Sequence, residues 1–238
     1  MPHIKLITFD LDDTLWDNAP TIHRAENAVY QWCQQYYPAL TEQYSLHDLR
    51  QLRQSLMQQH PAAAHRVTAM RIQGMETALI KCGLSQNDAT RIANEAFAIF
   101  LDARHNVALF PGVHACLSQL SQQFMLASLT NGNIQLDRLG LQHYFAFSLH
   151  AENFEAAKPH PAMFMHALKR ANVRPENVLH IGDHPQNDVM GAMRLGMHAL
   201  WFNAPRAAWI ESTYVPTLEV QSIDEIVPCV SQWLQIKE

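Results

Sequence analysis

The chain has 238 residues, which lies between one and two average domains. Hydrophobic residues make up 48% and charged residues 16%, so the chain can bury a large core and is too apolar to be intrinsically disordered. Its 17 Lys and Arg residues against 22 Asp and Glu residues give a net charge of −5. This balance argues against a nucleic-acid binder that relies on bulk positive charge.

Three further features predict a cytoplasmic protein that does not enter a membrane. The N-terminus carries acidic and basic residues from Lys5 onward, unlike a signal peptide. The longest stretch without a charged residue, 105–136, contains proline, glutamine and asparagine and is a poor candidate for a membrane span. The four cysteines are far apart and form no C-x-x-C pair, which favours free thiols in a reducing compartment. Nothing in the sequence indicates the oligomeric state.

Residues 4–11, I-K-L-I-T-F-D-L, predict a short buried strand that ends in an acidic turn. From residue 17 to 104 glycine is almost absent, and polar and apolar residues follow a helical spacing. We predict about four helices here, with breaks near Pro38, Pro61 and Gly83.

Capping signals support these helices, because Ser45 and Ser85 are each followed three residues later by an aspartate. From Phe110 onward, strands and helices alternate. In chain order we predict a helix to about Gln122, a strand over 124–129, a short strand over 145–149, a helix over 161–171, a strand over 178–181, a helix over 188–195, a strand over 198–202, a short strand over 217–220, and a last helix starting near Val227.

This alternation predicts an α/β fold: a Rossmann-like, doubly wound parallel sheet with helices on both faces. Residues 1–16 and 105–238 would form the α/β core. The helical stretch 17–104 would be a cap inserted after the first strand.

Polar side chains follow the predicted strands where an active site of this fold class lies, beyond the carboxyl ends of parallel strands. Asp10 and Asp12 follow the first strand, and Thr130-Asn131 follows the second. Asp183 follows a later strand, with Asp188 five residues on, and Lys158 lies in a loop that leads into a helix.

These residue types together predict phosphoryl transfer. Asp10 and Asp12 are two residues apart in an extended segment and would repel unless a cation joins them. Carboxylate ligands without His or Cys suit Mg²⁺, with Asp183 as a further oxygen ligand. Taken singly, each motif is a common turn or helix cap. The functional interpretation rests on the order of all four motifs along the chain. Each motif stands at the end of a predicted strand or, for Lys158, in a loop between elements.

The four segments F-D-L-D-D-T-L, L-T-N-G, A-K-P and G-D-H-P-Q-N-D resemble the motifs of haloacid dehalogenase-like hydrolases. The resemblance covers essentially the whole chain, including the helical insertion. Within this superfamily, L-W-D-N, G-D-H-P and W-F-N resemble bacterial phosphatases that act on flavin mononucleotide or on a phosphorylated pyrimidine intermediate of riboflavin synthesis.

The resemblance implies a magnesium-dependent phosphatase of small phosphate monoesters. Asp10 would be the nucleophile that forms an aspartyl-phosphate, and Asp12 the acid and base. The carboxylates of Asp10 and Asp183 and the backbone carbonyl of Asp12 would bind Mg²⁺.

The same resemblance implies how the phosphate is held. Thr130 and the backbone of Asn131 would bind phosphoryl oxygens. Lys158 would neutralise the nucleophile and the phosphate, and Asp188 would orient Lys158 or a metal-bound water. The helical cap would close over the site and exclude water.

Several alternatives stay open at this point. The substrate could be another sugar phosphate or a nucleotide, or the chain could be a 2-haloacid dehalogenase, although that chemistry has no need for Asp12 as a proton donor. A non-enzymatic phosphoryl-receiver module fits least well.

Individual side chains are ambiguous as well. His160 stands where many relatives have Asp, and His184 could face the substrate or the solvent. Trp16 could stack on a substrate ring or belong to the core. Arg66 and Arg71 could meet a substrate anion or be solvated.

Overall fold

A parallel sheet organises the α/β part of the chain. The structure is a computed structural model that describes residues 3–210 and 213–235. Within these residues the sheet has six strands in the order β3-β2-β1-β4-β5-β6, all parallel. The strands are β1 Leu6–Phe9, β2 Met125–Thr130, β3 Phe147–His150, β4 Val178–Gly182, β5 His198–Phe202 and β6 Leu218–Val220. The predicted α/β fold class is confirmed.

The first strand lies inside the sheet and is buried along its whole length. Leu6 pairs with Met125 of β2 on one side and with Val178 of β4 on the other. Strand β1 is shorter than the predicted 4–11, because the chain turns after Phe9 and Asp13 adopts a positive φ of 61°. The turn places the acidic segment beyond the carboxyl end of the strand.

Helices flank the sheet. They are α6 Val113–Ser121, α7 Pro161–Ala171, α8 Gly191–Met193 and α9 Ile226–Gln235. Met163 and Phe164 of α7 pack into one core cluster with Leu129 and Leu149 of the sheet. Pro228 is the third residue of α9, where its missing N–H breaks no intrahelical hydrogen bond.

One predicted helix is wrong in its start and its type. In place of a helix over 188–195, a π-helical turn spans Pro185–Met190 and is followed by the short α8. The ring Nδ1 of His184 accepts hydrogen bonds from the backbone N–H groups of Gln186 and Asn187, and Pro185 takes the first position. The turn therefore begins three residues before Asp188.

Residues 18–107 and 133–135 form a second compact unit, which is helical. Its helices are α1 Asn18–Tyr36, α2 Pro38–Gln43, α3 Leu46–Gln59, α4 Val67–Lys81 and α5 Gln86–Arg104. About four helices were predicted for this fully described stretch; the fifth, α2, arises because Pro38 starts a helix of its own. None of the helices in the described ranges is both long and apolar enough to span a bilayer.

The predicted caps form in both cases. Ser45 and Asp48 make a complete capping box at the start of α3. The side chain of Ser85 accepts the backbone N–H of Asp88 at the start of α5. Small and apolar side chains such as Ala78, Ala93 and Phe100 form the core of this helical unit.

A buried ion cluster joins three helices of this unit. Glu26 of α1 has a side chain only 4% exposed, and it accepts hydrogen bonds from Arg50, Arg53 and Arg71 at 2.5–3.1 Å. The guanidinium of Arg71 also lies 3.6 Å from the ring centroid of Phe100, a cation–π contact. Arg71 is therefore not a solvated helix residue.

We expect Glu26→Gln to lower the free energy of unfolding by about 2 kcal/mol near neutral pH, because it leaves three partly buried guanidinium groups without their carboxylate. Burial alone would raise the pKa of Glu26, but the arginines outweigh burial and lower it. The stabilisation is thus present above the unfolded-state pKa of about 4.3 and is lost as pH falls through the lower folded-state value. Urea unfolding of variant and wild type at several pH values measures the difference.

The matched control is Glu95→Gln on α5, an exposed carboxylate paired with Arg91. It should change stability by less than about 0.5 kcal/mol. Equal effects of the two substitutions would show that the cluster does not stabilise the unit.

Candidate active site

The polar residues that follow the strands meet at the carboxyl edge of the sheet. Asp10 follows β1, Thr130 ends β2 and Asp183 follows β4. Because β1 lies between β2 and β4, these positions are neighbours in space. Lys158 enters the same region from the loop that precedes α7.

Lys158 bridges two carboxylates. Its Nζ donates to Oδ1 of Asp10 and to Oδ1 of Asp188, each at 2.6 Å, and its side chain is 1% exposed. Burial alone would lower the pKa of Lys158, but Asp10 and Asp188 raise it above the usual value. The lysine is therefore a fixed positive charge at any physiological pH.

Asp10 and Asp183 are harder to ionise than ordinary aspartates, even with Lys158 nearby. Burial, with Asp188 and Asp183 nearby, raises the pKa of Asp10 well above its usual value. Burial and the charge of Asp188 raise the pKa of Asp183 to about 7. The Thr14 hydroxyl lies 3.5 Å from Asp10 Oδ2 and 3.4 Å from Asp183 Oδ1, so the two carboxylates face one small space.

These residues fit a hard divalent cation. Asp10, Asp183 and Asp188 each offer a carboxylate oxygen, and the three oxygens lie within 4.8 Å of one another. Burial raises the pKa of Asp10, despite its bridge to Lys158, and the pKa of Asp183, and a bound cation would oppose both shifts. All the donors are oxygens, which suits Mg²⁺ and does not suit softer metals.

Asp188 is already held by protein donors. Its Oδ1 accepts from Lys158 and contacts His180 Nε2 at 3.1 Å, and its Oδ2 accepts the backbone N–H of His184 at 3.0 Å. Although burial opposes ionisation, Lys158 and His180 lower the pKa of Asp188. This carboxylate is therefore better placed to orient Lys158 than to bind a cation.

His180 is a site residue that the sequence analysis missed. It lies fully buried in β4, with Nε2 on Asp188 and Nδ1 2.8 Å from the Thr8 hydroxyl. Burial lowers its pKa, so the ring is neutral. Because an ionised Asp188 can only accept, we assign the proton to Nε2, and Nδ1 then accepts from Thr8. The available signal was a histidine inside an otherwise apolar strand.

Gly182 makes room for Asp188. A Cβ at this position would lie 2.4 Å from Asp188 Cγ, closer than side-chain atoms can approach. The glycine of the G-D segment is therefore explained by the close approach of the Asp188 carboxylate, six residues later in the chain, to the end of β4.

Asp12 lies apart from the carboxylate cluster. Its Oδ1 accepts the indole N–H of Trp16 at 3.0 Å. Trp16 is fully buried, so its ring offers no surface for stacking on a substrate. Of the two interpretations of Trp16, the core residue is confirmed, and the indole also holds Asp12 in place.

The Thr130-Asn131 segment is tied to the lysine loop. The Asn131 side chain accepts the backbone N–H of Lys158 at 2.9 Å and donates to its carbonyl at 3.1 Å. The Thr130 hydroxyl accepts the backbone N–H of Gly132 at 2.9 Å, which leaves its own O–H to be donated elsewhere. Asn131 therefore fixes the backbone that carries Lys158.

The two ambiguous histidines both serve as N-caps. His160 accepts the backbone N–H of Ala162 at the start of α7, in keeping with a helix-entry role. His184 caps the π-helical turn described above, and its side chain is exposed.

An open parallel sheet that gathers carboxylates and a buried lysine at its carboxyl edge is the arrangement of an α/β enzyme. The sequence profile of the haloacid dehalogenase-like hydrolases matches residues 4–196. The chain belongs to this hydrolase family, and the resemblance drawn from the four motifs is confirmed.

Several relatives cover nearly the whole chain. The 5-amino-6-(5-phospho-D-ribitylamino)uracil phosphatase YigB of Escherichia coli is 35% identical over 95% of this chain and 96% of its own length. The N-acylneuraminate-9-phosphatase of Rattus norvegicus is 27% identical over 100% of this chain and 97% of its own. A crystal structure of a 2-haloacid dehalogenase from Pseudomonas syringae superposes with a TM-score of 0.91 at 40% identity, over 97% of this chain and 99% of that chain.

Proposed function

We propose that this protein is a magnesium-dependent phosphatase that hydrolyses a small phosphate monoester through an aspartyl-phosphate on Asp10. A riboflavin-pathway phosphate, including flavin mononucleotide, is the proposed substrate. The observation that carries the proposal is the salt bridge from Lys158 to both Asp10 and Asp188, with Asp183 close to Asp10 across the Thr14 hydroxyl. The phosphatase relatives support the reaction class.

Asp10 is proposed as the nucleophile because one of its oxygens is held by a short bond to Lys158 and the other has a long contact. Lys158 holds Oδ1, and Oδ2 has the long 3.5 Å contact with Thr14. Attack by Oδ2 on phosphorus forms the aspartyl-phosphate and breaks the phosphorus–oxygen bond to the substrate alcohol.

Asp12 would handle the protons of both steps. It would donate one to the departing alcohol oxygen and later take one from the water that attacks the aspartyl-phosphate. That second attack releases inorganic phosphate and regenerates the Asp10 carboxylate. The indole N–H of Trp16 donates to Asp12 Oδ1, which helps to hold the carboxyl group in place for this transfer.

The phosphoryl oxygens would be held by donors that the fold has already placed. The Thr130 hydroxyl can donate because the backbone N–H of Gly132 satisfies its lone pair. The backbone N–H of Asn131 is a second proposed donor, and Lys158 supplies the positive charge. Such fixed donors stabilise charge without reorganising during the reaction.

Asp10 and Asp183 would hold Mg²⁺ through their carboxylates, with the backbone carbonyl of Asp12 as a third ligand. When bound, the cation neutralises phosphoryl charge and reduces repulsion between the phosphate and the acidic site. Asp188 would stay with Lys158 and His180, which keep its oxygens occupied.

Removal of the metal with EDTA should abolish turnover, and added Mg²⁺ should restore it. Because a proton on Asp183 competes with the cation, the concentration of Mg²⁺ needed should rise as pH falls below about 7, the folded-state pKa of Asp183. Initial rates titrated with Mg²⁺ at several pH values test this. Turnover that survives exhaustive chelation would refute the metal assignment.

His180→Leu should lower kcat about tenfold and change KM less, because Asp188 would lose the partner that orients it toward Lys158. His180→Gln can still donate to Asp188 and should keep more of the activity. The control is His166→Leu on the exposed face of α7. Equal losses of kcat for the leucine and glutamine variants, at equal stability, would argue against a positioning role.

The substrate is tested with a panel of phosphate monoesters and Mg²⁺, compared by kcat/KM. We expect flavin mononucleotide or 5-amino-6-(5-phospho-D-ribitylamino)uracil to exceed sugar phosphates, nucleotides and N-acylneuraminate 9-phosphate by at least about tenfold. The Asp10→Asn variant, purified in parallel, controls for contaminating phosphatase. If both flavin-pathway compounds rank lowest, the substrate proposal fails and the reaction class stands.

A 2-haloacid dehalogenase is the second candidate, because a 2-haloacid dehalogenase structure from Pseudomonas syringae is 40% identical to the chain. A halide leaves without a proton, so that chemistry does not need Asp12 as a proton donor to the leaving group. We expect no chloride release from 2-chloropropionate above that of the Asp10→Asn variant. Catalytic chloride release at a rate above phosphate release would reverse the assignment.

A further inference from the structure

The helical unit contains a cleft of its own. It lies among helices α1, α3, α4 and α5 and is open to solvent, so its empty volume of about 540 Å³ includes solvent space at its mouth. One side carries the Glu26 ion cluster with Arg50, Arg53 and Arg71. The other walls are apolar and include Leu49, Met75 and Phe97. All the residues that line it come from this one unit.

The ion cluster holds more positive than negative charge. Three guanidinium groups meet the single carboxylate of Glu26, which gives the cluster a charge of +2. Burial, together with the charge of Arg53, lowers the pKa of Arg71 to about 10 even though Glu26 raises it. This excess of positive charge is local to the cluster, because the stretch 17–104 as a whole has eight basic and eight acidic residues and no net charge.

The arginines also keep donors for a further acceptor. Each guanidinium carries five N–H groups, and the ion pairs with Glu26 engage one nitrogen of each side chain. Arg50 and Arg53 are 36% and 22% exposed, so their heads can be reached from the cleft. The planar guanidinium fork matches a carboxylate, sulfonate or phosphate group.

We propose that this cleft is a binding site for a small amphipathic anion, with one acidic group on Arg50 and Arg53 and an apolar or aromatic body against Leu49, Met75 and Phe97. Such a molecule matches both the surplus charge and the apolar walls, as small-ligand sites usually combine apolar surface with a few placed polar groups. This binding site is additional to the proposed phosphatase site, and its ligand would contact residues of the helical unit.

The probe is 8-anilinonaphthalene-1-sulfonate, an aromatic sulfonate whose fluorescence rises in apolar sites. Titration of the full chain in the presence of Mg²⁺ should show saturable binding of one probe per chain, weakened by added NaCl. Arg50→Gln should raise the Kd by at least about tenfold, as expected for loss of a charge-assisted hydrogen bond. Arg91→Gln on α5, an exposed arginine paired with Glu95, should leave the Kd within about twofold.

A second pair of variants covers the case in which Arg50→Gln fails to fold by circular dichroism. Leu46 lines the cleft at the first position of α3, where an acidic residue suits the helix end. Leu46→Glu should weaken probe binding strongly by repulsion, and Leu46→Gln should weaken it much less. The proposal is overturned if no saturable binding occurs, if Arg50→Gln and Arg91→Gln change the Kd alike, or if Leu46→Glu and Leu46→Gln do. None of these readouts uses turnover, so they do not depend on the proposed reaction.

Discussion

Asp10→Asn is expected to reduce kcat by at least about a thousandfold with every phosphate monoester that the wild type hydrolyses. The asparagine side chain has nearly the same shape, but its amide is not a nucleophile toward phosphorus, so no aspartyl-phosphate forms. Initial rates of phosphate release with Mg²⁺ measure the effect.

The same variant should fold at least as well as the wild type. Burial, Asp188 and Asp183 all oppose ionisation of Asp10, so removing its charge relieves repulsion while Lys158 keeps Asp188 as a partner. The control is Asp137→Asn, an exposed aspartate of the α/β unit, which should keep normal turnover. A stable Asp10→Asn protein with more than a tenth of wild-type turnover would remove Asp10 from the nucleophile role.

Lys158→Met is expected to lower kcat by about a hundredfold or more and to reduce the free energy of unfolding by about 3 kcal/mol at neutral pH. Methionine has a similar length, but it leaves Asp10 and Asp188 buried with no shared cation. The loss of activity follows because the phosphate then meets two uncompensated carboxylates. Rates and urea unfolding curves measure the two effects.

The loss of stability should depend on pH in a defined direction. In the variant both carboxylates lack Lys158, so the already raised pKa of Asp10 rises further and that of Asp188 rises from its low wild-type value toward and above the unfolded value of about 3.9. A raised carboxylate pKa means that stability falls as pH rises from that value, so the variant should be closest to wild type in mild acid. Lys169→Met, at an exposed position in the last turn of α7, is the matched control.

A double variant sharpens this test. Adding Asp10→Asn to Lys158→Met removes one of the two stranded charges and should restore part of the lost stability, a coupling that independent sites do not show. If the two substitutions add without coupling, the 2.6 Å bridge between Lys158 and Asp10 does not act as a pair in solution.

The carboxyl-edge residues could be predicted from sequence because they obey a local rule. Asp10, Thr130 and Asp183 each stand directly at the end of an apolar segment that forms a strand, and parallel strands bring such ends together. Lys158 and Asp188 do not end a strand, and they were predicted from the order of the motifs along the chain. The geometry that makes them one network, with Lys158 between two carboxylates, comes from the fold alone.

Other features depend on contacts between distant positions, which the local sequence does not specify. His180 has the sequence context of a core strand residue, and only the approach of Asp188 and Thr8 gives it polar partners. Glu26 meets arginines 24, 27 and 45 positions away on other helices. The π-helical turn arises because Asp188 points inward to Lys158, which a helical periodicity cannot anticipate.

The position of β1 between β2 and β4 has a consequence for the order of events in folding. The hydrogen bond between Thr8 and His180 spans 172 positions, and the Lys158–Asp10 bridge spans 148. Contacts so distant along the chain close slowly, because the entropy of a long loop is lost before they can form. During synthesis, the first strand must therefore wait for the segment around Asp188 to emerge from the ribosome before the site can assemble. Catalytic activity would then report that this late pairing is complete.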